Sequence, residues 1–312
     1  EECYEYFRDK QGKPCYRIRE EKRRKLKGYL RGVALNKVLL TNERWPFVLA
    51  TPLNADITIG IDVKHNTAGF TIVSSNGSKI RTICRESRQK ERLLDSQMKK
   101  RLIEIIKQEA DAIQRESSQL SSEVIRTIVL HRDGRVYQSE IDGAYQAVEA
   151  LKEEGIIAPD ATLTILEISK SSPAPLRLFD VTENGRESPW VENPQLGCFH
   201  IINGKEGYIC TTGRAFPRHG TVKPLHIRFV EGGLPFEKCL EDIYYLTALA
   251  WTRPEDCTRY PITIKLTDRR LGEDASEYDA DKLQMEMDED ELDEDNTDDL
   301  EDEADEDWEA IA

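Results

Sequence analysis

Three short apolar runs, rich in β-branched residues, each deliver an aspartate at or just past their end. They read Ile57-Thr58-Ile59-Gly60-Ile61-Asp62, Ile128-Val129-Leu130-His131-Arg132-Asp133-Gly134 and Ile262-Thr263-Ile264-Lys265-Leu266-Thr267-Asp268. Such runs are expected as strands. A carboxylate carried by a strand is held on a rigid element. Several of them converging on one point make an oxygen cage for a hard divalent cation such as Mg²⁺ or Mn²⁺. A single Asp after a strand is ordinarily a turn residue or a helix cap. The metal reading therefore depends on the context around all three.

Between these runs the pattern changes period several times. Residues 57–62, 68–75 and 79–84 read as three strands, the last two joined at Asn76-Gly77, a strong hairpin signal. Residues 89–115 repeat apolar side chains at helical spacing: Leu93, Leu94, Met98, Leu102, Ile105, Ile106 and Ala110. A polar loop leads to a buried strand over 124–130, a helix over 138–154 and a strand over 162–168. Residues 171–232 are β-rich and punctuated by Pro and Gly, and 235–251 form an amphipathic helix with Leu240, Ile243, Tyr244, Leu246 and Ala250 on its core side. The order β-β-β-α-β-α-β is that of a ribonuclease-H-like α/β domain: a mixed sheet flanked by helices, with an antiparallel meander followed by parallel additions. In such a sheet the first and fourth strands are neighbours, so Asp62 and Asp133 are expected side by side.

The 312 residues and 38% apolar content suffice for one large domain or two small ones. No run of 18 apolar residues is present, so no membrane partner is expected. The first residues, Glu1-Glu2-Cys3-Tyr4, show no basic-then-apolar leader and no initiator Met, and the chain reads as a processed product or a fragment. Seven cysteines without a C-x-x-C pair are read as reduced thiols of an intracellular, cytoplasmic protein. The net charge of −15 hides an asymmetry. Residues 273–312 hold 22 Asp/Glu and one Lys, a net of −21, which leaves +6 for residues 1–272. A mildly basic body is compatible with a nucleic-acid partner. The densest basic stretch, 17–27, reads equally as a phosphate-contacting helix face or as a solvated helix paired internally through Glu20 and Glu21.

The blocks Ile59-Gly60-Ile61-Asp62-Val63, His131-Arg132-Asp133-Gly134, 245–254 and 259–269, in this order and spacing, resemble the PIWI domain of Argonaute proteins, the prokaryotic type more than the eukaryotic. The resemblance covers roughly residues 30–272. It implies residues 46–272 as the ribonuclease-H-like PIWI domain and residues 1–45 as a remnant of the MID lobe or a linker. The N and PAZ lobes and most of MID would be absent. Active members of the family carry an Asp-Glu-Asp-X tetrad. By motif, Asp62, Asp133 and Asp268 take its three strand-borne or helix-entry places and bind metal. The glutamate belongs to a mobile finger before the crossover helix. Glu91 is favoured for it and Glu86 is the fallback.

The implied activity is a guide-directed endonuclease, of the kind used in gene silencing and host defence. The carboxylates would hold two Mg²⁺ or Mn²⁺ ions, which serve an attacking water and the departing 3′ oxygen of a phosphodiester. Guide pairing supplies specificity, while the protein grips the duplex by shape and backbone. The candidate nucleic-acid-binding residues are Arg132, Arg135, Lys170, Arg177, Arg214, Lys223, His226, Arg228 and Arg253. His65 is either a substrate contact or a structural residue. Guide and target stay open between DNA and RNA. The expected partners are a short guide, its complementary target, and a separate or missing chain that carries the guide-end-binding lobes.

The acidic segment 273–312 is expected to be a disordered tail, because it cannot bury enough apolar surface to fold alone. It reads either as a solubilising tail, as a polyanion that occupies a basic groove, or as a lure for a basic partner. Two other functions stand beside the guided nuclease. One is a catalytically idle guide–target module acting through partner proteins, and the other is an unguided ribonuclease-H-like nuclease.

Overall fold

A computed structural model describes residues 30, 48–64, 66–89, 91–116, 124–169, 176–182, 190–211, 223–249 and 258–274. His65, Lys170, Arg214 and Arg253, the basic stretch 17–27 and the acidic segment from 275 onward lie outside the described residues. Ten strands and four helices are described. In chain order they are β1 (Ile57–Lys64), β2 (Thr67–Ser74), β3 (Ile80–Glu86), α1 (Asp95–Glu116), β4 (Thr127–Asp133), α2 (Gln138–Glu153) and β5 (Thr162–Ser169). Then follow β6 (Asp180–Thr182), β7 (Trp190–Glu192), β8 (Phe199–Ile201), β9 (Glu206–Ile209), β10 (Leu225–Gly232), α3 (Phe236–Ala248) and α4 (Ile262–Asp274). None of the described helices is long and apolar enough to cross a membrane.

Eight strands form one mixed sheet in the order β3-β2-β1-β4-β5-β10-β9-β8. β1 is antiparallel to β2 and parallel to β4, so the first and fourth strands are neighbours as the sequence predicts. Their register is fixed at the entry side by Asp56. Its Oδ2 accepts from the backbone N–H of Arg126 at 2.7 Å and of Thr127 at 2.9 Å, and its own N–H donates to the Thr127 carbonyl. The sheet separates two cores. On one face Ile57, Ile59 and Ile61 pack with Leu102, Ile105 and Ile106 of α1 and Ala144, Ala147 and Leu151 of α2. On the other, Val129, Leu166 and Ile168 pack against Phe236, Leu240 and Ile243 of α3 and Ile264 of α4, while Val73 and Ile80 meet Leu246, Ile262 and Leu266.

The sequence reading fails at two boundaries. Residues 262–268, read as a strand because of their β-branched side chains, open helix α4. β propensity is a weak prior that packing overrides. Pro261 stands just before the helix, its carbonyl accepting from the N–H groups of Ile264 and Lys265, and Ile262, Ile264 and Leu266 bury against the sheet. The helix expected from residue 89 begins at Asp95 instead. Residues 87–89 and 91–93 stay irregular because their backbone is bonded elsewhere, as described below.

α4 sits directly on β1 and β2. A Cβ added at Gly60 would lie 2.4 Å from the Thr263 carbonyl oxygen, and one at Gly69 would lie 2.8 Å from the Thr267 methyl carbon. The two glycines thus let a helix backbone approach the sheet where any side chain would block it. A buried polar seam then fixes the helix rotation. Thr267 Oγ1 donates to the Thr263 carbonyl at 2.7 Å, so its 2.7 Å contact with Thr71 must be one in which Thr71 donates. His131 Nδ1 lies 3.0 Å from Thr263 Oγ1. The ring is fully buried, which pushes its pKa down to about 3 and keeps it neutral.

At the far side, Asp242 of α3 ties down the chain entering β1. It is 1% exposed and accepts from the Asn54 N–H at 2.8 Å, the Asn54 side-chain amide at 2.7 Å and the Ala55 N–H at 3.0 Å. Burial raises its pKa against the opposing pull of these hydrogen bonds.

Two stability predictions follow from this packing. Gly60→Ala should cost roughly 1–3 kcal/mol in urea unfolding, because helix backbone rather than a flexible side chain must yield. Asp242→Ala should cost about 1–3 kcal/mol, by stranding buried N–H groups, and Asp242→Asn should cost less, since one amide oxygen can still accept.

Candidate metal centre

The three aspartates meet, Asp62 and Asp133 from strands and Asp268 from within α4. One carboxylate oxygen each from Asp62, Asp133 and Asp268 lie within 4.8 Å of one another, and all three residues are half-buried. The geometry follows from the face each one occupies. Gly60 and His131 are register partners on the α4 side of the sheet, and two residues further along each strand come Asp62 and Asp133. α4 supplies Asp268 from above, one residue past Thr267 of the polar seam. Three carboxylates at this spacing repel by roughly 1–3.5 kcal/mol per pair between water-like and surface-like dielectric. An all-oxygen donor set of this kind fits a hard divalent cation, Mg²⁺ or Mn²⁺.

Asp62 is oriented from two sides. Its Oδ1 accepts from the Val63 N–H at 2.7 Å and from Arg132 Nη1 at 3.2 Å, which leaves Oδ2 as the oxygen free of both. After Asp133 the chain turns at Gly134, whose φ of +75° belongs to the left-handed region, and the Gly134 N–H donates to the Ile168 carbonyl at 3.0 Å. Space does not require this glycine, since nothing lies within 4 Å of a Cβ built there. The Val136 N–H donates to Glu167 Oε1 at 2.7 Å, so β5 holds the loop that follows Asp133.

Arg132 ties the centre together from beneath. It is 5% exposed. Nη1 also donates to the Asp133 carbonyl at 2.7 Å, Nη2 donates to the Glu91 carbonyl at 2.8 Å, and Nε reaches Glu140 Oε2 at 3.4 Å. Glu140, on the first turn of α2, is 2% exposed and accepts from the Leu93 N–H at 3.1 Å and the Tyr137 N–H at 3.1 Å. Ser139 Oγ donates to the Leu93 carbonyl, and Ser87 Oγ to the carbonyls of Gln89 and Arg92. These bonds hold the backbone of 87–93 and explain why α1 starts late. Glu91 itself is exposed and stands outside the three-carboxylate group, as does Glu86 at the exposed end of β3.

The expected nucleic-acid contacts divide by exposure. Arg132 points inward, as above. His226 is 8% exposed and lies against Tyr208, with ring centroids 4.8 Å apart, and burial lowers its pKa. Arg228 pairs with Glu167, Nη2 to Oε1 at 2.6 Å. Arg228 is nevertheless exposed, on an interior strand between β5 and β9. Arg177 is half-buried and donates to the Leu176 carbonyl, while Lys223 and Arg135 are exposed. Arg135 and Arg92 both lie over the Tyr137 ring, at 5.9 and 5.8 Å from its centroid. The sequence reading missed Glu140, Glu167 and Tyr137. Glu140 sits three residues after Tyr137, where a capping box would have Ser or Thr, so the usual signature is absent.

No family model matches the sequence, and no curated protein matches it either. Solved structures do. The Argonaute of Clostridium butyricum, bound to a guide DNA and a 19-mer target DNA, superposes with a TM-score of 0.55 at 21% identity, over 77% of this chain and 30% of that one. An Argonaute of A. aeolicus matches with a TM-score of 0.49 at 19% identity, over 74% of this chain and 30% of that one. The chain therefore spans about 30% of the length of these structures. In strand order, flanking helices and likeness to the C. butyricum structure, this chain has the ribonuclease-H-like PIWI fold of the prokaryotic Argonautes.

Proposed function

We propose that this chain is the catalytic part of a guide-directed, metal-dependent endonuclease that cleaves a nucleic-acid target paired to a short guide strand. The observation that carries the reading is the convergence of Asp62, Asp133 and Asp268, delivered by β1, β4 and α4, to within 4.8 Å. The guide DNA and target DNA in the C. butyricum structure support the choice of substrate. Divalent cations supply Lewis-acid stabilisation of charge on phosphate oxygens and acidify water. Asp62, Asp133 and Asp268 would hold them.

The chain's own residues prepare the site. Arg132 neutralises one side of the carboxylate group and fixes Asp62 Oδ1, so that Oδ2 would be the oxygen available to a cation. The same guanidinium holds the Glu91 carbonyl, so the segment that carries Glu91 is anchored beside the centre, and Glu91 is the proposed fourth carboxylate. Guide ends would be held by further lobes, on this protein or on a partner chain. A second reading, an idle guide–target module, is favoured by one observation: the Glu91 side chain is exposed and outside the carboxylate group.

Cleavage of end-labelled DNA and RNA targets, with and without a guide, in Mn²⁺ and in EDTA, separates the readings. The nuclease requires guide-dependent cleavage that EDTA stops. Asp133→Ala should lower it at least ~10³-fold and weaken Mn²⁺ binding in calorimetry, with the circular dichroism unchanged. Guide-dependent binding without cleavage at any Mn²⁺ concentration would establish the idle module instead.

Arg132→Gln should lower both Mn²⁺ affinity and cleavage. It should also destabilise the fold by about 3–5 kcal/mol, because it strands Glu140 without its buried partner. Arg132→Lys should restore part of the stability and little of the cleavage, since one ammonium cannot reach the four partners of a planar fork. Equal cleavage by the wild type and Arg132→Lys would remove the positioning role.

A further inference from the structure

Five described arginines are held by carboxylates, and two others meet on one aromatic ring. Arg81, Arg101, Arg126, Arg132 and Arg228 each pair with a carboxylate, from Glu109, Glu104, Asp160, Asp62 with Glu140, and Glu167 in turn. Arg92 and Arg135 have no carboxylate partner among the described residues. Arg92 bonds through Nε to the Gln89 side-chain carbonyl and lies over Tyr137, while Arg135 lies over the same ring. Both side chains are exposed. Two exposed cations, from positions 92 and 135, are thereby brought to one aromatic platform.

Their location is fixed by the carboxylate centre. Arg135 is two residues past Asp133, across the Gly134 turn. Arg92 follows Glu91, whose carbonyl is held by the guanidinium that also holds Asp62. Tyr137 is anchored through its N–H to Glu140, the same buried carboxylate that receives the Leu93 N–H. The two arginines therefore stand on backbone that the Arg132–Glu140 pair holds rigid, on the rim of the three-aspartate group.

We propose that Arg92 and Arg135, seated on Tyr137, bind a backbone phosphate of the nucleic acid next to the bond presented to Asp62, Asp133 and Asp268. This inference deepens the proposed function and rests on it. A guanidinium offers a planar fork of donors that matches two phosphate oxygens, and an unpaired one has those donors available. The site faces a centre suited to cations. An anionic backbone held on its rim would run past the ions without its charge having to be buried in protein.

The test is duplex binding by the full chain across salt concentrations, with EDTA present so that cleavage cannot interfere. Arg92→Ala/Arg135→Ala should weaken binding about tenfold at low salt and reduce the slope of log affinity against log salt by about 1–2, one phosphate contact being worth about 0.9. Mn²⁺ binding without nucleic acid should be unchanged, which separates this site from the metal centre. Tyr137→Leu should weaken binding while keeping the slope, because both charges remain and only their platform is lost. Arg135→Lys should keep most of the slope. Unchanged affinity and slope in the double variant would overturn the proposal. So would tighter binding, which would show that the two arginines hold the chain's own acidic segment instead. A wild type that binds no nucleic acid would sink the proposed function itself, a result distinct from a wild type that binds as well as the double variant.

Discussion

A buried guanidinium must find partners for its donors or the fold loses more than the residue contributes. At Arg132 that requirement organises the whole centre. Its donors reach a carboxylate on β1, a carbonyl at the end of β4, a carbonyl in the segment before α1 and a carboxylate at the start of α2. Two remote pieces of chain, at Asp62 and Glu91, and two local ones, at Asp133 and Glu140, are thereby referred to one rigid group. The arrangement also sets the sign of the site. A cation lies under the aspartates and partly offsets their mutual repulsion.

Asp268 reaches the group by a different device. Close packing and hydroxyl contacts seat α4 on the sheet. Two glycines remove the side chains that would hold it off the sheet, and a line of threonines with His131 settles its rotation. Close approach and hydrogen-bond matching are both short-range and directional. A helix placed this way has little freedom to slide, so the carboxylate one residue past Thr267 arrives at a defined height above Asp62 and Asp133.

The arginines divide between structure and rim. Arg81 joins β3 to α1, Arg228 joins β10 to β5, and Arg132 joins β4 to β1 and α2, each with its charge neutralised within the protein. Arg92 and Arg135 keep theirs. Against a body of net charge +6 and a segment 273–312 of net charge −21, two uncompensated cations beside an anionic centre are a local departure. A backbone phosphate is the anion proposed to complete the site.

Alternating apolar runs, the Asn76-Gly77 turn and the helical repeat after Leu93 were enough to read β1 to β5 with α1 and α2 in order, because period and turn chemistry are local properties. Asp62 and Asp133 were legible for the same reason, each following a strand whose neighbour the topology fixes. α4 was misread, since Ile262, Thr263, Ile264 and Thr267 favour strands locally and become helical only when the sheet supplies a surface to bury them. Arg132 and Glu140 were invisible as a pair, because nothing in their spacing says that one fills the other's pocket. The sequence by itself determined which residues could supply charge and which strands would carry them. Only the tertiary structure decided which arginine is buried as a fastener and which are left on the rim, because that choice depends on the distance to a carboxylate remote in the chain.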